Sequence, residues 1–209
     1  MMNNEKELPQ SLIKTITDSD FTKIGIDITQ ISIDSVLESG VLKDFPIIGS
    51  LIGIWKTGVT VKDYLFLNKL IFFLKESSTL PEKSRKKIIE KLEDSSYQLE
   101  VGEKLIAIID KLETGSKAKL LGKAFALVGN NIISNDEFWR ISFVIEKLPM
   151  DDILALKKWR NIELNHVEHI RKHLYLSVGL GWFVLDMSST GFVWTERLCE
   201  IFSDSLLIN

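Results

Sequence analysis

Three histidines are the side chains whose spacing best suits chemistry in this sequence. His166, His169 and His173 stand at positions i, i+3 and i+7, so a helix would place them on one face, where two imidazoles can share a metal ion. The order is not the H-E-x-x-H of zinc proteases, and no cysteine or carboxylate elsewhere is marked as a further ligand. We therefore interpret the stripe as facing solvent or a partner, and expect no metal site and no cofactor.

Nucleophilic catalysis has no recognisable motif here. The sequence lacks G-x-S-x-G, a cysteine–histidine signature and the phosphate loop G-x-x-x-x-G-K-[ST]. Because a nucleophile needs a base and an orienting group, we expect no catalytic residues. We predict that the protein is not an enzyme, and an enzyme of unrecognised type is the third alternative after the two given below.

Basic side chains towards the C-terminus are candidates for binding nucleic acid. These are Lys157, Lys158, Arg160, Arg171 and Lys172. Side chains of this kind on helices neutralise phosphates. Asp151, Asp152, Glu163 and Glu168 occupy the same stretch, however, and a face of mixed charge is usually only solvated.

An unusually apolar stretch, residues 45–74, is the strongest feature of the sequence, and we call it the apolar segment. It is interrupted by charges at Lys56, Lys62, Asp63 and Lys69, so neither half supplies the roughly 20 apolar residues that span a bilayer. Its second half is apolar nearly all round a helix, which is typical of burial or of contact with lipid. Gly49 and Gly53 add a small-x-x-x-small spacing that lets helices approach closely in a bilayer.

We predict that the apolar segment is sheltered at rest and is exposed to a membrane on demand. Its candidate membrane-active residues are Phe45, Ile47, Ile48, Leu51, Ile54, Trp55, Leu65, Phe66, Leu70, Phe72 and Phe73. Lys56, Lys62 and Lys69 can then extend towards phosphates. The alternative is that the segment is plain core.

The remaining elements predict a mainly α fold, a helical bundle around the apolar segment. We predict helices after Pro9, over 21–38 and over 59–75, an irregular or loosely wound stretch over 45–58, and a capping box from Ser134 to Glu137. Near the end, "LGWFVL" and "FVW" predict a β-hairpin, and Thr195 is a candidate cap for a last helix. We place the domains at 1–148, which contains the apolar segment, and 149–209, a winged-helix-like appendage.

Composition narrows the class of protein further. The 209 residues carry 26 Lys and Arg against 29 Asp and Glu, a balance that argues against strong whole-molecule attraction to nucleic acid or lipid. The single cysteine and the polar start without a signal-peptide pattern indicate the cytoplasm. We therefore expect a protein that is cytoplasmic at rest and reaches the bacterial inner membrane when activated.

The stretch from "GVLKDFPIIG" through the apolar segment to the capped helix after Ser134 resembles a helical family of bacterial proteins linked to antiphage defence, the membrane effectors of the Hailong system among them. The resemblance covers roughly residues 33–148 and carries no catalytic motif. It implies a homo-oligomer held inactive by short single-stranded DNA, with a nucleotide-synthesising enzyme as a partner, and released to depolarise the membrane. The favoured expectation is thus an abortive-infection effector, and the alternative is a winged-helix-like regulator that binds nucleic acid or protein.

Overall fold

The computed structural model describes residues 2–21, 42–55, 58–90, 95–161, 169–186 and 189–208. Within them the chain forms two compact units, Met1–Ile133 and Ser134–Asn209. This division falls before the helix Asn135–Lys147, whereas the boundary predicted from the sequence, at 148, falls after it. Arg197 of the second unit donates to Glu137 of that helix at 2.7 Å, which ties the helix to the C-terminal residues.

All the regular secondary structure in the described part of the first unit is helical. Its helices are α1 (Met2–Thr17), α2 (Pro46–Ile54), α3 (Val61–Ser77), α4 (Glu82–Glu90), α5 (Ser95–Lys111) and α6 (Gly115–Gly129). Helix α1 packs on α2, α4 and α5, while α3 packs on α5 and α6. The two halves of the apolar segment, α2 and α3, therefore have their main contacts with different helices.

Local sequence explains where several of these helices begin. Pro46 stands in the first turn of α2, where its missing N–H is harmless. Thr60 and Asp63 form a capping box at the start of α3, and the Thr114 hydroxyl accepts from Lys117 N–H at the start of α6. The stretch Pro46–Ile54 is regular α-helix, so the irregular winding predicted for it is wrong: its two glycines do not break a helix whose other side is buried.

The second unit combines short helices with a hairpin. Its elements are α7 (Asn135–Lys147), α8 (Met150–Ala155), a 3-10 helix (Leu156–Asn161), α9 (His169–Ser177), β1 (Gly181–Asp186), β2 (Ser189–Trp194), α10 (Glu196–Ile201) and a π-helical turn (Phe202–Leu206). The strands pair antiparallel, with Trp182 opposite Val193 and Phe183 opposite Phe192. The mainly α fold with a C-terminal hairpin is confirmed.

Alternation along the hairpin gives it a buried and an exposed face. Phe192 and Trp194 are buried, and the Trp194 ring lies 5.2 Å from the ring of Tyr175 in α9. Trp182, Val184 and Val193 are exposed on the opposite face. The hairpin thus packs through one face only, which matches the helix, hairpin and helix order predicted for this region.

Two local predictions differ from the structure, and one lies outside it. Helix α1 runs through Pro9 instead of starting after it; Gly102 of α5 sits so close that a Cβ there would lie 2.8 Å from the Pro9 carbonyl oxygen, and this packing outweighs the lost backbone hydrogen bond. Thr195 stands at the start of α10 but does not cap it, because its hydroxyl donates to the Gly179 carbonyl at 2.9 Å. The predicted helix over 21–38 lies almost wholly outside the described residues.

Candidate functional site: the apolar segment

Helix α2 buries one side of the first half of the apolar segment. Phe45, Ile47, Ile48 and Leu51 are buried, whereas Ile54 is exposed and Trp55 is half-buried. The packing partner is α1. Six of the residues predicted as membrane-active thus lie along this helix, and four of them are sheltered.

Hydroxyl groups join α2 to α1. The Thr15 hydroxyl oxygen accepts the Ile47 N–H at 3.0 Å and donates to the Ser11 carbonyl at 2.9 Å. The Ser11 and Ser50 hydroxyls lie 2.8 Å apart. This contact is therefore partly polar, and sequence reasoning did not find Ser11 or Thr15, because serine and threonine in a helix carry no signal of a distant partner.

Helix α3 holds the second half of the segment more tightly. Its buried apolar residues are Leu67, Leu70, Ile71, Phe73 and Leu74, and Phe66 and Phe72 are half-buried. The Phe73 ring meets that of Phe125 in α6 edge to face at 5.7 Å between centroids, an arrangement that aromatic pairs favour. A Cβ at Gly122 of α6 would lie 2.6 Å from the Phe73 carbonyl oxygen, so α3 and α6 approach each other more closely than a residue with a side chain at position 122 would allow.

Lys69 lies inside this contact. Its side chain is buried, with 8% of the residue exposed, and its ammonium donates to the carbonyl oxygens of Asp110 and, at 3.0 Å, Leu112. Burial lowers the pKa of Lys69, and the nearby Asp110 opposes that shift. The ammonium therefore stabilises the C-terminal end of α5, where carbonyl groups lack helical partners. In the sequence Lys69 is one of the charges that interrupt the apolar segment, and the fold buries it.

The start of α3 and the residues before it are the exposed part of the segment. Val61 is 78% exposed and Leu65 is 53% exposed. Asp63 accepts from both the N–H and the hydroxyl of Thr60, at 2.9 and 2.6 Å, and these hydrogen bonds lower the pKa of its carboxyl. The capping box thus fixes the start of α3 while its apolar side chains stay in solvent.

Among the residues that the structure describes, no second helix packs closely against Gly49 and Gly53. A Cβ on Gly49 would lie 3.0 Å from the Lys43 carbonyl oxygen, and one on Gly53 would meet nothing within 4 Å. No described helix is long and apolar enough to span a membrane. The small-residue face of α2 is therefore open at Gly53.

The basic residues predicted to bind nucleic acid separate into two groups. Arg160 donates to Asp204 at 3.1 Å and to Glu200 at 3.1 Å, which raises its pKa, and Arg171 pairs with Asp152 at 3.2 Å. Lys157 and Lys158 are exposed in the 3-10 helix, and Lys172 in α9 is half-buried. Two of the five cations thus already have carboxylate partners within the second unit.

Other candidates for chemistry have weak support in the described residues. His166 and the side chain of His169 lie outside them, and the His173 ring packs 5.5 Å from Phe183. No three His, Cys, Asp or Glu side chains of the described part form a group able to hold a metal ion. Cys199 is buried, and burial raises its pKa to about 12, so it is not a thiolate nucleophile at neutral pH.

Comparisons with known protein families, with curated proteins and with solved structures gave no match.

Proposed function

We propose that the chain is a non-enzymatic effector of the abortive-infection type, which disrupts the bacterial inner membrane when its apolar segment leaves the fold. The arrangement of α2 carries this proposal. A helix of nine residues without a single charge is held to α1 by hydroxyl hydrogen bonds as well as by apolar contact. Polar contacts of this kind are replaced by water more readily than apolar ones.

The two halves of the segment differ in how firmly they are held. Helix α3 has the Phe73–Phe125 contact, the close approach at Gly122 and the buried Lys69. The polar contacts of α2 with α1 are the hydrogen bond from the Ile47 N–H to Thr15 and the one between the Ser50 and Ser11 hydroxyls. Because local opening follows the weakest set of buried contacts, α2 separates first in the proposed mechanism, and α3 follows only when its own packing is broken.

The exposed apolar side chains at the start of α3 supply the first contact with lipid. Val61 and Leu65 point away from the core, and each buried CH₂ group contributes about 0.8 kcal/mol to membrane attachment. Lys62 beside them is well exposed and suits the phosphate level of a bilayer. Initial attachment therefore needs no unfolding, and insertion of α2 comes second.

A dye-release assay tests this proposal on the full chain. Vesicles of phosphatidylethanolamine and phosphatidylglycerol are loaded with a self-quenched dye, and Thr15→Val supplies a weakened α1–α2 contact. We expect Thr15→Val to release dye faster than the wild type. Adding Leu65→Asp should suppress that release. Residue 65 is exposed in the fold, so the aspartate does not disturb the packing, but it opposes the first contact with lipid.

Ile170→Asp is the matched control, since Ile170 is an exposed apolar residue of the second unit, 79% exposed. Added to Thr15→Val, it leaves release unchanged. Absence of release from Thr15→Val, at temperatures where hydrogen exchange shows α2 to be open, would contradict the proposal. Equal suppression by both aspartates would contradict it as well.

A regulator that binds nucleic acid is the second candidate, and the exposed side chains of Lys157 and Lys158 favour it. The ion pairs of Arg160 and Arg171 argue against it, since a paired guanidinium must give up its carboxylate before it binds a phosphate. Under this alternative the apolar segment is plain core, and Leu65→Asp has no functional effect.

A further inference from the structure

A cavity of about 640 Å³ opens where the two halves of the apolar segment meet the helices that shelter them. Residues of α2 and of α3 line it, and so do residues of α1 and α5. Its volume is in the range of small-molecule sites, which runs from about 300 to 1,000 Å³. One molecule in this cavity would touch all four helices.

The lining has an apolar part and a charged part. Leu8, Ile54, Phe66 and Ile106 are among its apolar residues. The ionisable residues of the lining are Lys62, Asp63, Glu103 and Asp110. Three carboxylates against one ammonium leave a net negative charge, and Lys62 already faces Asp110 at 3.9 Å.

Asp63 gives the charged part a fixed position. Its carboxylate accepts from Thr60 in the capping box, and these bonds, followed by an interaction with the Trp55 side chain, lower the pKa of the carboxyl. Asp63 and Trp55 both line the cavity, so the start of α3 and the end of α2 meet there. Glu103 and Asp110 are exposed on α5 and complete a negatively charged border.

We propose that this cavity binds a small amphiphile that has an apolar chain and a single cationic amine, and that the bound molecule holds α2 and α3 in the sheltered state. The chain lies against the apolar lining, and the amine faces the carboxylates. A fatty acid or a nucleotide would add further negative charge to a border that is already negative. The negative charge of the lining thus favours a positively charged ligand.

The regulatory half of this inference rests on the proposed function. A ligand that touches all four helices binds only while they are together, so it shifts the population towards the sheltered state in proportion to its affinity. Removal of the ligand leaves the α1–α2 contact as the main restraint on the first half of the segment.

A charge-matched series of probes tests the binding. Octylammonium, octanoate and 1-octanol share one chain and differ in charge, and calorimetry at pH 7 below their micelle concentrations compares their affinities for the full chain. We expect octylammonium to bind about tenfold more tightly than octanoate, which corresponds to about 1.4 kcal/mol. Hydrogen exchange of α2 and α3 amides should slow when octylammonium is present.

Two sets of substitutions locate the site. Glu103→Gln with Asp110→Asn removes two exposed carboxylates and should bring the affinities of octylammonium and octanoate together. Asp44→Asn with Asp151→Asn removes the same charge from exposed positions outside the lining and should leave the difference intact. Ala107→Phe fills the cavity from its exposed edge and should weaken all three probes.

The outcomes are distinct. Octanoate binding as tightly as octylammonium, or a preference lost equally in both charge variants, overturns the site. Binding that leaves hydrogen exchange in α2 and α3 unchanged overturns its role in sheltering. If Thr15→Val releases dye but no octylammonium binds, the proposed ligand site is rejected and the proposed function stands. If octylammonium binds and slows hydrogen exchange but no variant releases dye, the ligand site stands and the proposed function is rejected.

Discussion

The hydroxyl of Thr15 in α1 accepts the backbone N–H of Ile47 in α2 at 3.0 Å. Ile47 is in the first turn of α2, where N–H groups have no partner within their own helix. A side chain of a neighbouring helix therefore does what an N-cap residue usually does, and Phe45, the residue in the N-cap position, makes no such bond. The Ile47 N–H at the start of α2 therefore keeps this hydrogen-bond partner only while α1 is in place.

Replacing Thr15 with valine is predicted to weaken the first unit. The new side chain has nearly the same shape but no acceptor, so the Ile47 N–H is buried without a partner. The expected loss is about 1–3 kcal/mol in the free energy of unfolding, measured by urea denaturation, with the earliest hydrogen exchange in α2.

Thr17→Val is the control for this substitution. Within the described part of the chain, the Thr17 hydroxyl bonds to the Ile13 and Lys14 carbonyls of its own helix, so the change should stay within about 0.5 kcal/mol. Equal losses in the two variants would show that the α1–α2 bond has no special role.

Replacing Lys69 with methionine is predicted to destabilise the contact between α3 and α5. Methionine fills similar space but leaves the Asp110 and Leu112 carbonyls without the ammonium that binds them. We expect a loss of about 1–3 kcal/mol by denaturation, with faster hydrogen exchange at the end of α5. Lys62→Met, at an exposed position of the same helix, should change stability by less than about 0.5 kcal/mol, and a larger effect there would contradict the assignment.

Replacing Gly53 with leucine separates folding from activity. The position meets open space, and leucine has the better helix propensity, so stability should rise by about 0.5–1 kcal/mol. If the small-residue face of α2 is used for helix contact in the membrane, dye release by the Thr15→Val background should fall. Undiminished release, measured per vesicle-bound molecule, would reject a role for that face.

Features set by neighbouring residues could be predicted from the sequence. The capping box joins Ser134 to Glu137 in the structure, and the hairpin forms from two stretches that are rich in β-branched and aromatic residues. Both depend on contacts a few residues apart. Burial of most of the apolar segment could be predicted from its composition, because apolar side chains are favoured away from water, but the exposure of Val61 and Leu65 could not.

Features that depend on distant partners could not be predicted. Arg85 stands in a charged stretch, yet it is fully buried and donates to the carbonyls of Ile16, in the last turn of α1, and Asp18, just after it. Lys69 and Arg160 likewise have partners about forty residues away. A sequence gives the charge of such a side chain, but it does not show whether the hydrogen-bond partner is a carbonyl, a carboxylate or water.

The basic residues of the second unit give a test of nucleic-acid binding. If the regulator alternative holds, Lys157→Gln with Lys158→Gln should lower affinity for a single-stranded DNA oligomer and reduce the salt dependence by about one unit per lysine. Arg160→Gln should matter less, because Asp204 and Glu200 already neutralise it. Fluorescence anisotropy at several salt concentrations measures both, and an equal loss for Arg160→Gln would mean that its ion pairs open on binding.

The buried thiol of Cys199 predicts an alkaline loss of stability in the second unit. Its pKa is raised by burial from 9.0 to about 12, so between these values the unfolded thiol ionises and the folded thiol does not. The unfolded state then binds fewer protons, and the free energy of unfolding falls as pH rises above about 9. Tryptophan fluorescence follows this unit, since every tryptophan except Trp55 lies after residue 133.

Cys199→Ala should be less stable at pH 7, because it leaves a cavity, but its stability should fall less steeply from pH 9 upwards. Tyr175, whose pKa burial also raises to about 12, retains part of the slope in that variant. Cys199 is the single cysteine of the chain, so its labelling by a disulfide reagent reports opening of the second unit alone. Slow labelling of Thr15→Val while its α2 amides exchange quickly would show that the apolar segment is released without unfolding the C-terminal unit, and rapid labelling would show that the two events are coupled.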